Sequence, residues 1–390
     1  MRLLPVMVIS GLRQTGKSTL LQNEPAFATG HTYRTLDDFA TLAAAQTNPE
    51  ALLEGTVILD EVQRCPEILL AIKKSVDENR QPGRFILSGS ANLALLDRVS
   101  ETLAGRAGYF TLHPMTRREQ QGTTNKQPFL VAFLNSPTLP SNRVQSITEQ
   151  EVLTGGLPPV CLSSMDGIAE WFRAYVQTYV ERDVRQLSQI ADLIAFRTLA
   201  QLAALRTGQV LVISTLARDA KLNAVTAGRY LDLLETSFLI HRLPPFLKNR
   251  SSRLIKSPKL YFTDSGLAAY MAGMTALEPG RDDLLRGALF ETYIAQNLAA
   301  LLDAHLPDAH MAYWHEQGRH EVDFVIESNR NVLAIEVKAS TRWTENDLSG
   351  LRTFMERTPD CIAAILAYNG TDAVQLGERL WAIPMGHLIG

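Results

Sequence analysis

The chain has 390 residues, 46% of them hydrophobic and 20% charged, with a formal net charge of −3. That length allows two or three domains with buried cores. That charge excludes a global pull onto nucleic acid or a membrane, so any such binding must come from a local patch. The three cysteines, Cys65, Cys161 and Cys361, show neither a metal spacing nor a disulfide framework, which suits a reducing compartment. Met1-Arg2-Leu3-Leu4 resembles the start of a signal peptide, but its apolar run contains Pro5 and leads into a glycine loop rather than a small-residue cleavage site. It reads instead as the approach to a first strand. No segment approaches about 18 uninterrupted apolar residues, so no membrane contact and a cytoplasmic location are expected.

The stretch Gly11-Leu12-Arg13-Gln14-Thr15-Gly16-Lys17-Ser18 has the spacing G-x-x-x-x-G-K-[ST]. It follows the apolar run Val6-Met7-Val8-Ile9 and precedes Thr19, Leu20 and Leu21, which can open a helix. Strand, glycine loop and helix in that order is the context of a phosphate-binding P-loop. Glycines let successive backbone N–H groups face one phosphate, and the helix N-terminus adds partial positive charge. ATP is the expected ligand, with Gly11, Arg13, Gln14, Thr15, Gly16, Lys17, Ser18 and Thr19 around it. Lys17 reaches the β- and γ-phosphates and the Ser18 hydroxyl ligates Mg²⁺.

Residues 1–120 read as a doubly wound α/β domain, with strands expected at Val6–Ser10, Thr32–Leu36, Thr56–Leu59, Arg84–Leu87 and Tyr109–Leu112. Val6–Ile9 and Val57–Leu59 are continuous apolar runs, as parallel strands covered on both faces should be. Val57-Ile58-Leu59-Asp60-Glu61 has the form of a Walker B segment: Asp60 for the Mg²⁺ shell, Glu61 to orient the attacking water. Gly105-Arg106 follows a short helical stretch, and Arg106 is a candidate arginine finger, either for its own site or for that of a neighbouring subunit in a homo-oligomer.

Residues 121–148 are rich in Gly, Thr, Asn, Gln, Pro and Ser and read as a loop or linker around one small helix near Phe129–Leu134. Residues 149–275 form a helical region. It holds a turn at Gly155–Pro159, a long helix from Ile168 to about Leu187, and a helix, tight turn, helix and strand between Gln209 and Leu243. In that last part Ser214 and Asn223 are the expected helix caps, and the order is the outline of a winged helix-turn-helix. Arg229 and Thr226 fall on the outward face of its second helix. Beyond it, Lys248, Arg250, Arg253, Lys256 and Lys259 put five basic side chains into residues 248–259, a patch able to track a DNA backbone.

In residues 276–390, Leu284, Ala288, Ile294, Leu298 and Leu302 line one helix face, and Glu291 falls on that same face, where an unpaired carboxylate is costly. Glu321 and Asp323 then alternate with Val322 and Phe324 along a strand, and a turn leads to Glu336-Val337-Lys338 on its partner strand. Glu291, Asp323 and Glu336 are candidate Mg²⁺ ligands, with Lys338 as the lysine that orients a metal-bound water in a phosphodiesterase. A hairpin with one solvated charged face is the competing reading.

Taken together, the chain resembles the prokaryotic AAA+-class ATPases whose C-terminal half is catalogued as a domain of unknown function. The residues that carry this are Gly11–Ser18, Leu59-Asp60-Glu61, Leu87-Ser88-Gly89-Ser90, Leu103-Ala104-Gly105-Arg106, Gly155-Gly156-Leu157-Pro158, Tyr179-Val180-Glu181-Arg182-Asp183, Pro258–Leu267, Glu321–Phe324 and Glu336–Lys338. The resemblance implies an α/β chain with an AAA+-like P-loop sheet, a winged-helix middle and a C-terminal PD-(D/E)xK restriction-endonuclease-like domain. It implies ATP hydrolysis, with Ser88 or Ser90 sensing the γ-phosphate. Only five residues precede the first strand, where similar proteins carry a further helix, so it implies the phosphate contacts and not the adenine contacts. Two functions follow as expectations: an ATPase coupled to a DNA-directed nuclease-like domain, or an ATP-dependent switch whose nuclease-like domain is catalytically inactive.

Overall fold

The computed structural model describes residues 4–89, 101–140, 142–163, 167–183, 192–247, 256–277, 283–316, 320–329 and 331–390. Of the expected features, Ser90, Lys248, Arg250 and Arg253 lie outside the described residues. The chain forms two compact units: Met1–His113 with Thr178–Gln189 and Thr236–Phe238, and Pro114–Gln177 with Ile190–Glu235 and Leu239–Gly390. No helix among the described residues is long and apolar enough to cross a membrane.

The first unit is built on β1 (Val6–Ser10), β2 (Thr32–Thr35), β3 (Val57–Asp60), β4 (Phe85–Ser88) and β5 (Ala107–Thr111), all parallel, in the order β2-β3-β4-β1-β5. Side chains of successive strand residues leave on opposite faces, and both faces are apolar. Val6, Val8, Val57, Leu59, Phe85 and Leu87 join one core, and Met7, Ile9, Ile58 and Ile86 the other. The first core is closed by the helix Ile68–Glu78, whose Ile68, Ile72 and Val76 recur at helical spacing. The second holds Leu21 of α1 (Lys17–Asn23). β5 begins at Ala107 rather than Tyr109 because its amino end already pairs with Val6. Since β4 lies between β1 and β3, the residues that follow all three strands gather at one edge, the carboxyl edge where ligands of such sheets sit.

In the second unit, α2 (Leu193–Ala204), β6 (Gln209–Val210), α3 (Ile213–Asp219), α4 (Ala224–Thr236), β7 (Ile240–Leu243) and β8 (Lys259–Phe262) make a small module with antiparallel sheet order β6-β8-β7. Asn223 caps α4 as expected, its Oδ1 accepting from the Thr226 N–H at 2.8 Å. Ser214 does not cap α3, which begins one residue earlier with Val212 at the cap position. The strand expected before Leu243 is Ile240–Leu243, and Phe238, with a left-handed φ of +57°, stands in the turn that leads to it. The helix from Ile168 changes at Val176 into a π-helix that continues to Asp183.

The C-terminal sheet has the order β13-β14-β12-β11-β10-β9. β9 (His310–Glu316), β10 (His320–Ser328) and β11 (Asn331–Lys338) are antiparallel, while β12 (Cys361–Tyr368) and β14 (Leu380–Pro384) run parallel to β11, with β13 (Val374–Gly377) antiparallel at the edge. α5 (Asp283–His305) packs against β11, and α6 (Ser349–Arg357) supplies Leu351 and Phe354 to the core. The apolar stripe on α5 starts later than the spacing predicts: Leu284 is 94% exposed, whereas Ile294, Leu298 and Leu302 are buried. The segment 121–148 does carry the expected helix, Phe129–Asn135, and it is fastened at Phe133 and at Ile147. The Phe133 ring meets Trp381 edge-on at 5.2 Å, and the Asn369 side chain both accepts from Ile147 N–H and donates to its carbonyl at 2.8 Å.

Two of the motifs behind the resemblance serve packing. Asp264 caps the helix Ser265–Met271 through the Leu267 N–H at 2.8 Å and also accepts from the Gly156 N–H at 2.7 Å. A Cβ at Gly266 would fall 2.5 Å from the Thr154 carbonyl oxygen, so only glycine lets these two segments meet. Burial pushes the Asp264 carboxyl up to about 6, against the backbone N–H groups that hold it.

Candidate functional site

The P-loop conformation follows from its residues. Gly11 has φ +140°, and a Cβ there would lie 2.3 Å from the Leu112 carbonyl oxygen at the end of β5. Gln14 at φ +68° and Gly16 at φ +92° complete the reversal that starts α1. Thr15 Oγ1 donates to the Leu12 carbonyl at 2.8 Å and stiffens the loop from within. Lys17 Nζ donates to the carbonyls of Gly11 at 3.0 Å and Leu12 at 2.8 Å. Arg13, Gln14 and Thr19 are exposed, and the Arg13 guanidinium lies 6.0 Å over the ring of Tyr179.

Burial lowers the Lys17 ammonium to about 8, with the Glu61 and Asp60 carboxylates resisting the shift. Phosphate recognition needs the protonated amine. Nucleotide affinity is therefore expected to be full below pH 8 and to fall as pH rises through it, which titration calorimetry between pH 6.5 and 9.5 would read. An affinity flat across that range would contradict the assignment.

Asp60 stands at the end of β3, 2% exposed. Its Oδ2 accepts from Ser18 Oγ at 2.6 Å and from Tyr33 Oη at 2.6 Å, and its Oδ1 from the Glu61 N–H at 3.0 Å. Ser18 and Asp60 thus point at one place, as two holders of one Mg²⁺ must. Burial and the Asp60 hydrogen bond push the Tyr33 hydroxyl up to about 12. Glu61 follows with φ +58°, a left-handed backbone that a non-glycine residue adopts at a cost of about 1–3 kcal/mol and that clusters at functional positions. Burial raises its carboxyl, and Gln63 Nε2 hydrogen-bonds it. Ser88 Oγ, at the end of β4, is buried without a hydrogen-bond partner among the described residues.

Arg106 requires a correction. It lies at the amino end of β5, its carbonyl accepting from the Val6 N–H at 3.1 Å, on the edge of the parallel sheet opposite the P-loop. Its guanidinium is held 2.7 Å from Asp77. It cannot complete the site of its own chain. Arg106→Ala is expected to leave ATP turnover within about twofold, the effect of a surface ion pair. A larger loss that scales with protein concentration would point to a role in a neighbouring subunit.

In the second unit Glu291, Glu321 and Asp323 converge on an amine that sequence reasoning placed elsewhere. Lys259 Nζ is 3.0 Å from Glu291 Oε1, 3.0 Å from Asp323 Oδ1, and paired with Glu321. Lys259 is therefore not part of a surface basic patch: it is 1% exposed, and only Lys256 of that run is both described and exposed. Tyr261 Oη also donates to Glu291, and Asp323 Oδ2 accepts from the Val337 N–H at 2.9 Å. Glu336 adjoins Asp323 across the β10–β11 pairing. Its Oε1 accepts from Lys338 Nζ at 2.8 Å and its Oε2 is buried without a partner among the described residues. Burial and then Asp323 raise Glu291 to about 7 and Glu336 well above the carboxylate range. Burial works against the Lys259 ammonium, but Asp323 and Glu291 more than offset it.

The contact of Tyr33 with Asp60 and the place of Lys259 among the carboxylates are what sequence reading missed. Nothing local marks Tyr33, which reaches Asp60 from the neighbouring strand. Lys259 had one signal, the cost of leaving Glu291 unpaired on an apolar face.

Residues 4–121 match the family model of an AAA domain. Residues 145–278 match a domain of unknown function, DUF8612, and residues 286–388 another, DUF4143. Uncharacterized proteins of Mycobacterium bovis and Mycobacterium tuberculosis are each 29% identical over 390 residues, spanning 99% of this chain and 81% of theirs. Among solved structures, a RuvB variant from Thermotoga maritima is 18% identical with a TM-score of 0.27, covering 62% of this chain and 83% of its own. A protein from Vibrio cholerae is 12% identical with a TM-score of 0.20, covering 98% and 95%. At those scores neither superposition bears on the sites. The AAA match, lying on the five-stranded parallel sheet and its glycine loop, supports an AAA-like P-loop ATPase as the activity of the first unit.

Proposed function

We propose that the chain is a Mg²⁺-dependent ATPase that uses its nucleotide state to switch a second unit whose nuclease-like fold binds rather than cuts. The observation that carries the hydrolytic half is the 2.6 Å bond between Ser18 Oγ and Asp60 Oδ2 beside the strained Glu61. Lys17 and the loop N–H groups would take the β- and γ-phosphates. Ser18 and Asp60 would hold Mg²⁺, which when bound neutralises charge on the phosphate oxygens. Tyr33 holds Asp60 in position, Glu61 would orient and accept a proton from the attacking water, and the Ser88 hydroxyl would contact the γ-phosphate.

For the second unit, the order α2-β6-α3-α4-β7-β8 supports a winged-helix reading, and the exposed Arg229 on α4 supports DNA as its partner. The order α5-β9-β10-β11-α6-β12 supports a PD-(D/E)xK-like reading of the C-terminal sheet. Cleavage is the second reading, favoured by Asp323, Glu336 and Lys338 on adjoining strands. Against it stands the amine of Lys259 among the carboxylates.

The test is ATP turnover by the full chain, alone and with duplex DNA, single-stranded DNA or RNA. Stimulation by duplex DNA is expected. Turnover indifferent to all three would remove DNA as the partner and leave the ATPase assignment intact.

A further inference from the structure

The geometry points to Lys259 as the resident cation of the C-terminal carboxylate cluster, filling the place where a nuclease of this fold would hold a divalent metal. This deepens the proposal that the second unit does not cut, and it rests on the nuclease-like reading of that sheet.

The residues present do not fit a metal. A divalent ion needs carboxylate oxygens at about 2.0–2.6 Å with lone pairs free to turn toward it. Here the cluster already holds a fixed cation, and the oxygens that face it already serve donors of the protein. Glu291 Oε1 serves Lys259 and Tyr261, Asp323 Oδ1 serves Lys259, Asp323 Oδ2 serves the Val337 N–H, and Glu336 Oε1 serves Lys338. Among the described residues no three of His, Cys, Asp and Glu are grouped to hold an ion. An ammonium has three donors, and Lys259 directs them at three carboxylates. Its backbone is fixed in the middle strand of the β6-β8-β7 sheet, paired with Val210 on one side and Leu243 on the other. A divalent cation would therefore have to enter beside a buried positive charge that the strand does not release.

Removing the amine should uncover the metal site. Glu336 Oε2, buried next to Asp323 without a partner among the described residues, supplies one ready oxygen for it. The experiment is Mn²⁺ binding to the nucleotide-free full chain, read by electron paramagnetic resonance, for wild type, Asp323→Asn, Lys259→Met and Lys259→Met with Asp323→Asn. The wild type is expected to bind no Mn²⁺ that Asp323→Asn removes. Lys259→Met is expected to gain one Mn²⁺ per chain, lost again in the double variant, and its melting temperature should rise with Mn²⁺ while that of the wild type does not. Asp323-dependent Mn²⁺ binding by the wild type would overturn the inference, as would a folded Lys259→Met chain that gains none. Should Lys259→Met fail to fold, the wild-type comparison with Asp323→Asn decides alone. ATP turnover is a separate readout on the same preparations: its absence would sink the nucleotide proposal without touching this one.

Discussion

Glu61→Gln is expected to lower ATP turnover by about 100-fold or more while leaving ATP affinity within a few fold. The amide keeps the size of the side chain and its capacity to hydrogen-bond Gln63, but it cannot accept a proton. Burial already raises the Glu61 carboxyl, which makes it a better base than an exposed glutamate. The left-handed backbone at φ +58° persists in a non-glycine residue because the strand end and the Asp60 carboxylate over-determine it. Single-turnover hydrolysis and equilibrium binding on one preparation separate the two effects. Equal losses in both would make Glu61 a binding residue and contradict its place beside the attacking water.

The second large effect is on stability. Lys259→Ala is expected to destabilise the second unit by about 3–5 kcal/mol, the cost of removing one partner from a buried charge cluster. The penalty arises less from the lost ion pairs than from Glu291 and Asp323 left together without a cation. Glu321, whose side chain is 43% exposed, contributes little because water already screens it. The sign with pH follows from the same carboxylates. Glu291 has its folded pKa raised to about 7 from 4.5, so its contribution is fully present below the unfolded value and is lost as pH rises from there to about 7. Without the amine to favour the ionised carboxylate, that loss is expected to become steeper. Urea unfolding at pH 5 and pH 8 for both proteins reads it, and a penalty in the variant that shrinks toward pH 8 would contradict the charge argument.

The first unit was legible because its chemistry is contiguous. Gly11–Ser18 carries its own conformation, and an apolar strand that ends in Asp60-Glu61 announces both the strand and the acids at its tip. The sequence did not reveal Tyr33, because a hydrogen bond from β2 to Asp60 depends on strand order, which no local pattern encodes. Arg106 was misplaced for the same reason: an arginine near a strand does not say which end of the sheet it occupies. In the second unit the burial of Glu291 was readable as a demand for a partner. The partner lay in a run of basic residues whose composition looks like a surface patch, and only the pairing of β8 with β6 and β7 takes Lys259 out of it. The Val337 N–H that closes on the Asp323 carboxylate was likewise unreadable. Alternation predicts the face of a side chain but not the backbone group it meets.

Phosphate release from Mg²⁺-ATP by the full chain tests most directly whether hydrolysis takes place at the Ser18–Asp60 edge of the parallel sheet. Steady turnover by the wild type, abolished in Lys17→Ala and in the presence of EDTA, is the expected result. Turnover that survives Lys17→Ala, or a wild type that binds ATP through repeated preparations and never releases phosphate, would contradict it.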